Sequence, residues 1–209
     1  MSACDTLERV SAARTYLTAK VPFLGFMALR LRPRVAQPED RVPTAAVGPD
    51  GTLVLNAGFV ASLTNPQLRG LLAHEVLHPA MQFFERRGSK LLAGWNIAHD
   101  PAINLIIEDF ISRGLRSNIQ LPPKGLLNTK YQGMAAEEIY NDLPDEQKSG
   151  AGQNTVIVVV EGKEGEEGGD GKGKGIGQDC RPDLATTKDG RSAGRGDTSA
   201  QERLERTWQ

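Results

Sequence analysis

The sequence predicts an α+β domain, and three observations carry that expectation. Two short strand-like runs are joined by a tight turn in VPTAAVGPDGTLVLN. Segments on either side repeat their apolar residues at helical spacing. One of those segments holds HEVLH, His74 to His78, an HExxH pattern that belongs on a helix.

Taken in order, Asp5 can cap a helix over residues 5–20, where Leu7, Val10, Arg14 and Leu17 recur at helical spacing. Val21-Pro22 ends it. GFMALRLR, from Gly25, alternates apolar and basic residues and is expected to be a half-buried strand. Pro49-Asp50-Gly51 has hairpin chemistry between the next two strands. Asn65 can cap a helix from Pro66 that runs through LRGLLAHEVLHPAMQFFERR to a stop near Gly88. A second long helix is expected from about Trp95 to Arg113, and a short one in AAEEIYNDL from Ala135.

VIVVV, Val156 to Val160, is expected to be a buried strand closing a domain over residues 1–160. Eleven of the 23 glycines then fall between Gly162 and Gly196, mixed with Lys, Glu and Asp. Such a segment buries too little apolar surface to offset its ordering entropy, so residues 161–198 are expected to be disordered. GKGKGIG does not match GxxxxGK[ST], which argues against a phosphate loop. Residues 199–209 begin a further helix with a Ser199–Glu202 capping box, and the chain reads as cut inside a longer protein.

At 209 residues the chain suits one domain with a substantial core. A net charge of -1 and only 5% aromatics give no basic, aromatic-interleaved surface for nucleic acid or a membrane face. The start has no signal-peptide core, and the valine run is too short to span a bilayer. Cys4 and Cys180 form no CxxC pair, which excludes a zinc ribbon and leaves a reducing cytoplasm as the expected location.

The chemistry concentrates in one window. On a helix, His74 and His78 present two imidazoles on one face, and Glu75 beside them can reach a water held by the same metal. Zinc lowers the pKa of such a water to about 7, and a neighbouring carboxylate can take its proton as general base. The chain's only other histidine, His99, lies 21 residues on, next to Asp100. Either could be the third ligand. Asp100 shares a helix face with Asn104, which can orient a ligand or its histidine partner. His99 aligns with Ile103, Ile106 and Phe110, as a packed or rim residue would. Tyr131 and Tyr140 are candidate oxyanion helpers that serve equally well as packed aromatics. Pro79 directly follows His78 and should kink or end the helix within a turn of the ligands.

The ordered motifs VPTAAVGPDGTLVLNAGFV, LRGLLAHEVLHPAM, WNIAHDPAIN and GMAAEEIYNDL resemble a family of metallopeptidase-like proteins. In that family the N-terminal domain precedes a von Willebrand factor A-like (VWA-like) domain. The resemblance covers most of residues 5–145. It implies a zincin-like fold, with a mixed sheet packed on the HExxH helix and a second ligand-bearing helix. It also implies His74, His78 and Asp100 as zinc ligands, Asn104 as their support, and Glu75 as general base. It places TLVLN at the sheet edge above the site, where a peptide could add. A bacterial cytoplasmic setting beside a MoxR-type ATPase follows from the same resemblance. The chain departs from the pattern where Pro79 and Pro101 follow proposed ligands, and where Phe83 stands in place of a further histidine.

Two functions compete on this reading. One is a zinc-dependent metalloendopeptidase acting on protein or peptide substrates. The other is a catalytically inactive, zinc-stabilised binding module of an ATPase- and VWA-linked assembly. They separate on whether zinc is accompanied by turnover.

Overall fold

The computed structural model describes residues 1–113, 118–123 and 127–149. The expected strand at 156–160, the glycine-rich segment and the final helix lie outside the described residues. Helix α1 (Ala3–Lys20) opens with Ser2 as its cap, not Asp5. The Ser2 hydroxyl accepts the Asp5 N–H, and the Asp5 carboxylate accepts the Ser2 N–H. Asp5 thus completes the box from inside the first turn.

The expected strand at Gly25 is instead a helix, α2 (Pro22–Arg30), with proline in its first turn. Leu24, Met27, Ala28 and Leu31 are buried at a spacing of three and four, a helical stripe that the apolar–basic alternation had hidden. Gly25 lets α2 lie close against α1: a Cβ there would stand 2.2 Å from Thr18 Cα. Only RPRV remains extended, as β1 (Arg32–Val35).

β2 (Ala45–Val47) and β3 (Thr52–Leu55) form the expected antiparallel hairpin through Pro49-Asp50-Gly51. β1 then pairs parallel to β3, giving a mixed three-stranded sheet in the order β1-β3-β2. TLVLN is therefore the central strand and not an edge. Both of its sides are taken, by Arg32–Val35 and by Ala45–Val47.

After the short α3 (Ala57–Ser62), α4 (Asn65–Ala80) carries HEVLH. Its cap is Thr64 rather than Asn65, in a capping box with Gln67. The helix does not reach Gly88. It ends at Ala80, Gln82 turns left-handed at φ 57°, and a separate α5 (Phe83–Arg87) follows. Helix α6 (Leu92–Ser112) spans the WNIAHDPAIN stretch, and α7 (Ala136–Asp142) and α8 (Asp145–Lys148) pack on it.

Two hydrophobic clusters meet at the α4–α6 contact. An aliphatic one joins α1, α2, the sheet, α4 and one stripe of α6 through residues such as Leu17, Leu55, Leu72, Val76 and Ile103. A smaller one gathers Phe83, Trp95, Ile97, Ala102 and Ile139 between α5, α6 and α7. Among the described residues no helix is long and apolar enough to cross a membrane.

Candidate metal centre

Helix α4 is regular through His78 and stops two residues later. Pro79 has no N–H to bond back to Glu75, and the Met81 N–H closes the last turn on the Leu77 carbonyl. The proline therefore ends the helix after the histidine pair without disturbing its spacing. Helix α6 passes through Pro101 unbroken and presents Asp100 and Asn104 to α4 from one face.

The Nε2 atoms of His74 and His78 stand 3.1 Å apart, and each is 3.5 Å from Asp100 Oδ1. One ligand atom from each of the three residues lies within 4.8 Å of the other two. His99 is not in that group. Its ring packs instead against His78, Phe83 and Trp95, wholly buried, with neither nitrogen hydrogen-bonded among the described residues.

Two of the three converging residues have a hydrogen-bonded support. His74 Nδ1–H donates to Asn104 Oδ1 at 2.8 Å, which turns Nε2 toward His78 and Asp100. Asn96 donates to Asp100 Oδ2 at 3.3 Å, while Oδ1 has no hydrogen-bond partner among the described residues. Asn96 was missed in the sequence, although its spacing of four from Asp100 is the signal that places them together. Phe83 and Trp95 were missed likewise as the aromatic wall beside the histidines.

Electrostatics follow from burial and proximity. Burial disfavours charge on His74, but the Asp100 carboxylate outweighs it and lifts the imidazole to about 9. His78 is pushed well below its ordinary value by burial and by the charge on His74. Burial raises Glu75 to about 7. Asp100 is held below the usual carboxylate range: burial would raise it, and the proximity of His74, 3.5 Å from Oδ1, overcomes that.

The donor set fits a divalent cation. Two imidazole nitrogens and one carboxylate oxygen are borderline ligands of the zinc type. A single proton between the two Nε2 atoms leaves Asp100 Oδ1 unpaired, whereas a cation among the three atoms would engage all of them. Glu75 does not join the group and is 6% exposed beside it. The two tyrosines do not reach the centre. The Tyr140 hydroxyl accepts the Leu91 N–H, and Tyr131 lines a separate cavity of about 660 Å³ between α6 and the segment leading into α7.

With this geometry in place, the comparison with known families is decisive for kinship. Residues 6–209 match the family described as "Putative metallopeptidase domain". The chain belongs to that family. Neither a curated protein nor a solved structure matches it. Membership in this family and the His/Asp cluster together mark the α4–α6 contact as a candidate metal site.

Proposed function

We propose that the protein is a zinc-dependent metalloendopeptidase, with His74, His78 and Asp100 holding the metal and Glu75 as general base. The observation that carries this reading is the convergence of three donor atoms within 4.8 Å beside a buried carboxyl that none of them uses. Zinc would supply Lewis acidity, making water acidic near neutrality and polarising a scissile carbonyl. Glu75, poised near 7, can take a proton from the attacking water and return it to the leaving amine. Asn104 and Asn96 keep His74 and Asp100 aimed at one point. An extended substrate segment would add to β2, the edge strand that packs on α4. Thr44 and Gly48 bond toward β3, so Ala45 and Val47 turn their backbone groups to the open edge. By resemblance, the working setting is the bacterial cytoplasm, alongside a MoxR-type ATPase and a VWA-like domain.

One observation favours the second reading, a zinc-stabilised binding module. The side chains of His74, His78 and Asp100 are only 15%, 8% and 18% exposed, so a polypeptide reaches them only if the site opens. Elemental analysis of purified protein, paired with digestion of casein or a peptide library, separates the two. The peptidase reading expects about one zinc per chain together with cleavage. Glu75→Gln should keep the zinc and lower cleavage by about 10²–10⁴-fold. Zinc with no cleavage in the wild type would sink the peptidase reading and leave the binding module.

A further inference from the structure

The two histidines of the centre are held in different ways. His74 has a hydrogen-bonded support in Asn104 at 2.8 Å. Among the described residues His78 has none: its one hydrogen-bond contact there is with His74 Nε2, across the centre itself. A side chain whose terminal ring torsion is soft needs some other restraint to keep its nitrogen on target. Around His78 that restraint is aromatic. Phe83 meets the ring edge-on at 5.1 Å and 88°, and His99 lies nearly parallel to it at 5.4 Å and 18°.

The wall behind His99 is itself tied down. Trp95 packs on His99 at 5.4 Å, and the Trp95 indole N–H donates to the Phe83 carbonyl at 2.7 Å. Phe83 also meets His99 edge-on at 5.0 Å, closing a box of four rings. His99 is wholly buried and neither of its nitrogens is bonded among the described residues, so its ring and not its polarity makes its contacts there.

We propose that His99 is a positioning residue whose imidazole, stacked on His78, fixes the rotation of that ring and hence the direction of its Nε2. It does for His78 by ring packing what Asn104 does for His74 by a hydrogen bond. Imidazole is the smallest aromatic side chain, so it fills this box with the least crowding. A His78 ring that gives its lone pair to a cation becomes electron-poor and gains from a neutral, electron-rich ring against its face. This inference rests on the metal-centre reading above.

The test uses His99→Ala, His99→Phe and the wild type. Metal affinity is measured by competition with a chromophoric chelator, and ligand geometry by the visible spectrum of the cobalt-substituted protein. His99→Ala should weaken zinc binding by about 10–100-fold and shift the cobalt bands. His99→Phe should restore affinity to within about threefold of wild type, because it returns a ring without the nitrogens. Should the larger phenyl disturb folding, thiophene added to His99→Ala supplies a five-membered ring with no hydrogen-bond donor, and should give the same recovery. Unchanged affinity and spectrum in His99→Ala would overturn the proposal. So would failure of both phenyl and thiophene to restore what alanine lost, since the nitrogens would then be the active part. If the wild type takes up no metal, the metal reading fails. Histidine side-chain NMR of the metal-free protein still decides this one. The His78 ring signals should move in His99→Ala and return in His99→Phe, and their staying put would refute the positioning role.

Discussion

The aliphatic cluster and the α4–α6 contact are both buried, but they are built on opposite terms. Around Leu17, Leu55 and Leu72 the interior is hydrocarbon packed on hydrocarbon. At the α4–α6 contact, by contrast, three histidines, a glutamate and an aspartate sit together, with Asp100 Oδ1 and both His99 nitrogens lacking a hydrogen-bond partner among the described residues. An unpaired buried polar atom costs about 1–3 kcal/mol, and fold stability alone would not retain several at one place. The contrast teaches where to look for chemistry: one region holds the fold, and the other spends some of that stability on the candidate ligand set.

The largest expected effect breaks the first region. Leu17→Ala, at a position with no exposure between α1 and α2, should cost about 2–5 kcal/mol in urea unfolding. Zinc affinity of the folded fraction should stay within a few-fold of wild type. A matching loss of zinc would mean that the two regions are not separable.

Asp100→Ala is the reciprocal case. It should weaken zinc binding by about 100-fold or more, equivalent to roughly 2.7 kcal/mol. Metal-free and above pH 9, where His74 has lost its charge, the variant should be no less stable than wild type, because a lone buried carboxylate has gone. Zinc binding that survives Asp100→Ala would remove it from the ligand set.

The smallest effect sharpens the comparison through pH. His74, lifted from 6.5 to about 9, holds its proton more tightly when folded. Its contribution is full below pH 6.5 and is lost as pH rises through 9. Glu75, raised from 4.5 to about 7, acts in the same direction over its own range. Metal-free protein should therefore lose stability from about pH 6.5 to 9, by urea midpoint in the presence of chelator, whereas below 6.5 the depressed His78 and His99 act in the opposite direction. Zinc affinity should rise over the same range as the ligands shed protons. Asp100→Asn should flatten the upper part of the stability profile, and a profile unchanged by it would show that His74 owes its shift to something else.

Local chemistry in the sequence was enough to place HEVLH on a helix, to read Pro49-Asp50-Gly51 as a hairpin and to expect a kink or an end at Pro79, although the helix was expected to run on to Gly88 and stops at Ala80. It failed where the deciding contact is distant. GFMALRLR satisfies a two-residue and a three-to-four-residue repeat at once, and only the close fit of Gly25 on Thr18 selects the helix. TLVLN looks like any half-buried strand until RPRV, some twenty residues earlier, pairs along its free side. The box of rings around His78 was equally hidden, because Phe83, Trp95 and His99 come from two helices and meet only in space.

Gly70 has a consequence of its own. It lies one turn before His74, and the chain at Gln120 crosses α4 there so closely that a Cβ would stand 1.9 Å from the Gln120 carbonyl oxygen. The Gln120 N–H is also fastened to the Pro66 carbonyl at the start of the same helix. The crossing works as a detent on the rotation and slide of α4. A slip of one residue would move the helix by about 1.5 Å and swing each histidine by about 100°, out of line with Asp100. The angular tolerance of the centre is thus set a full turn away from it, by the one residue too small to let the helix be held anywhere else.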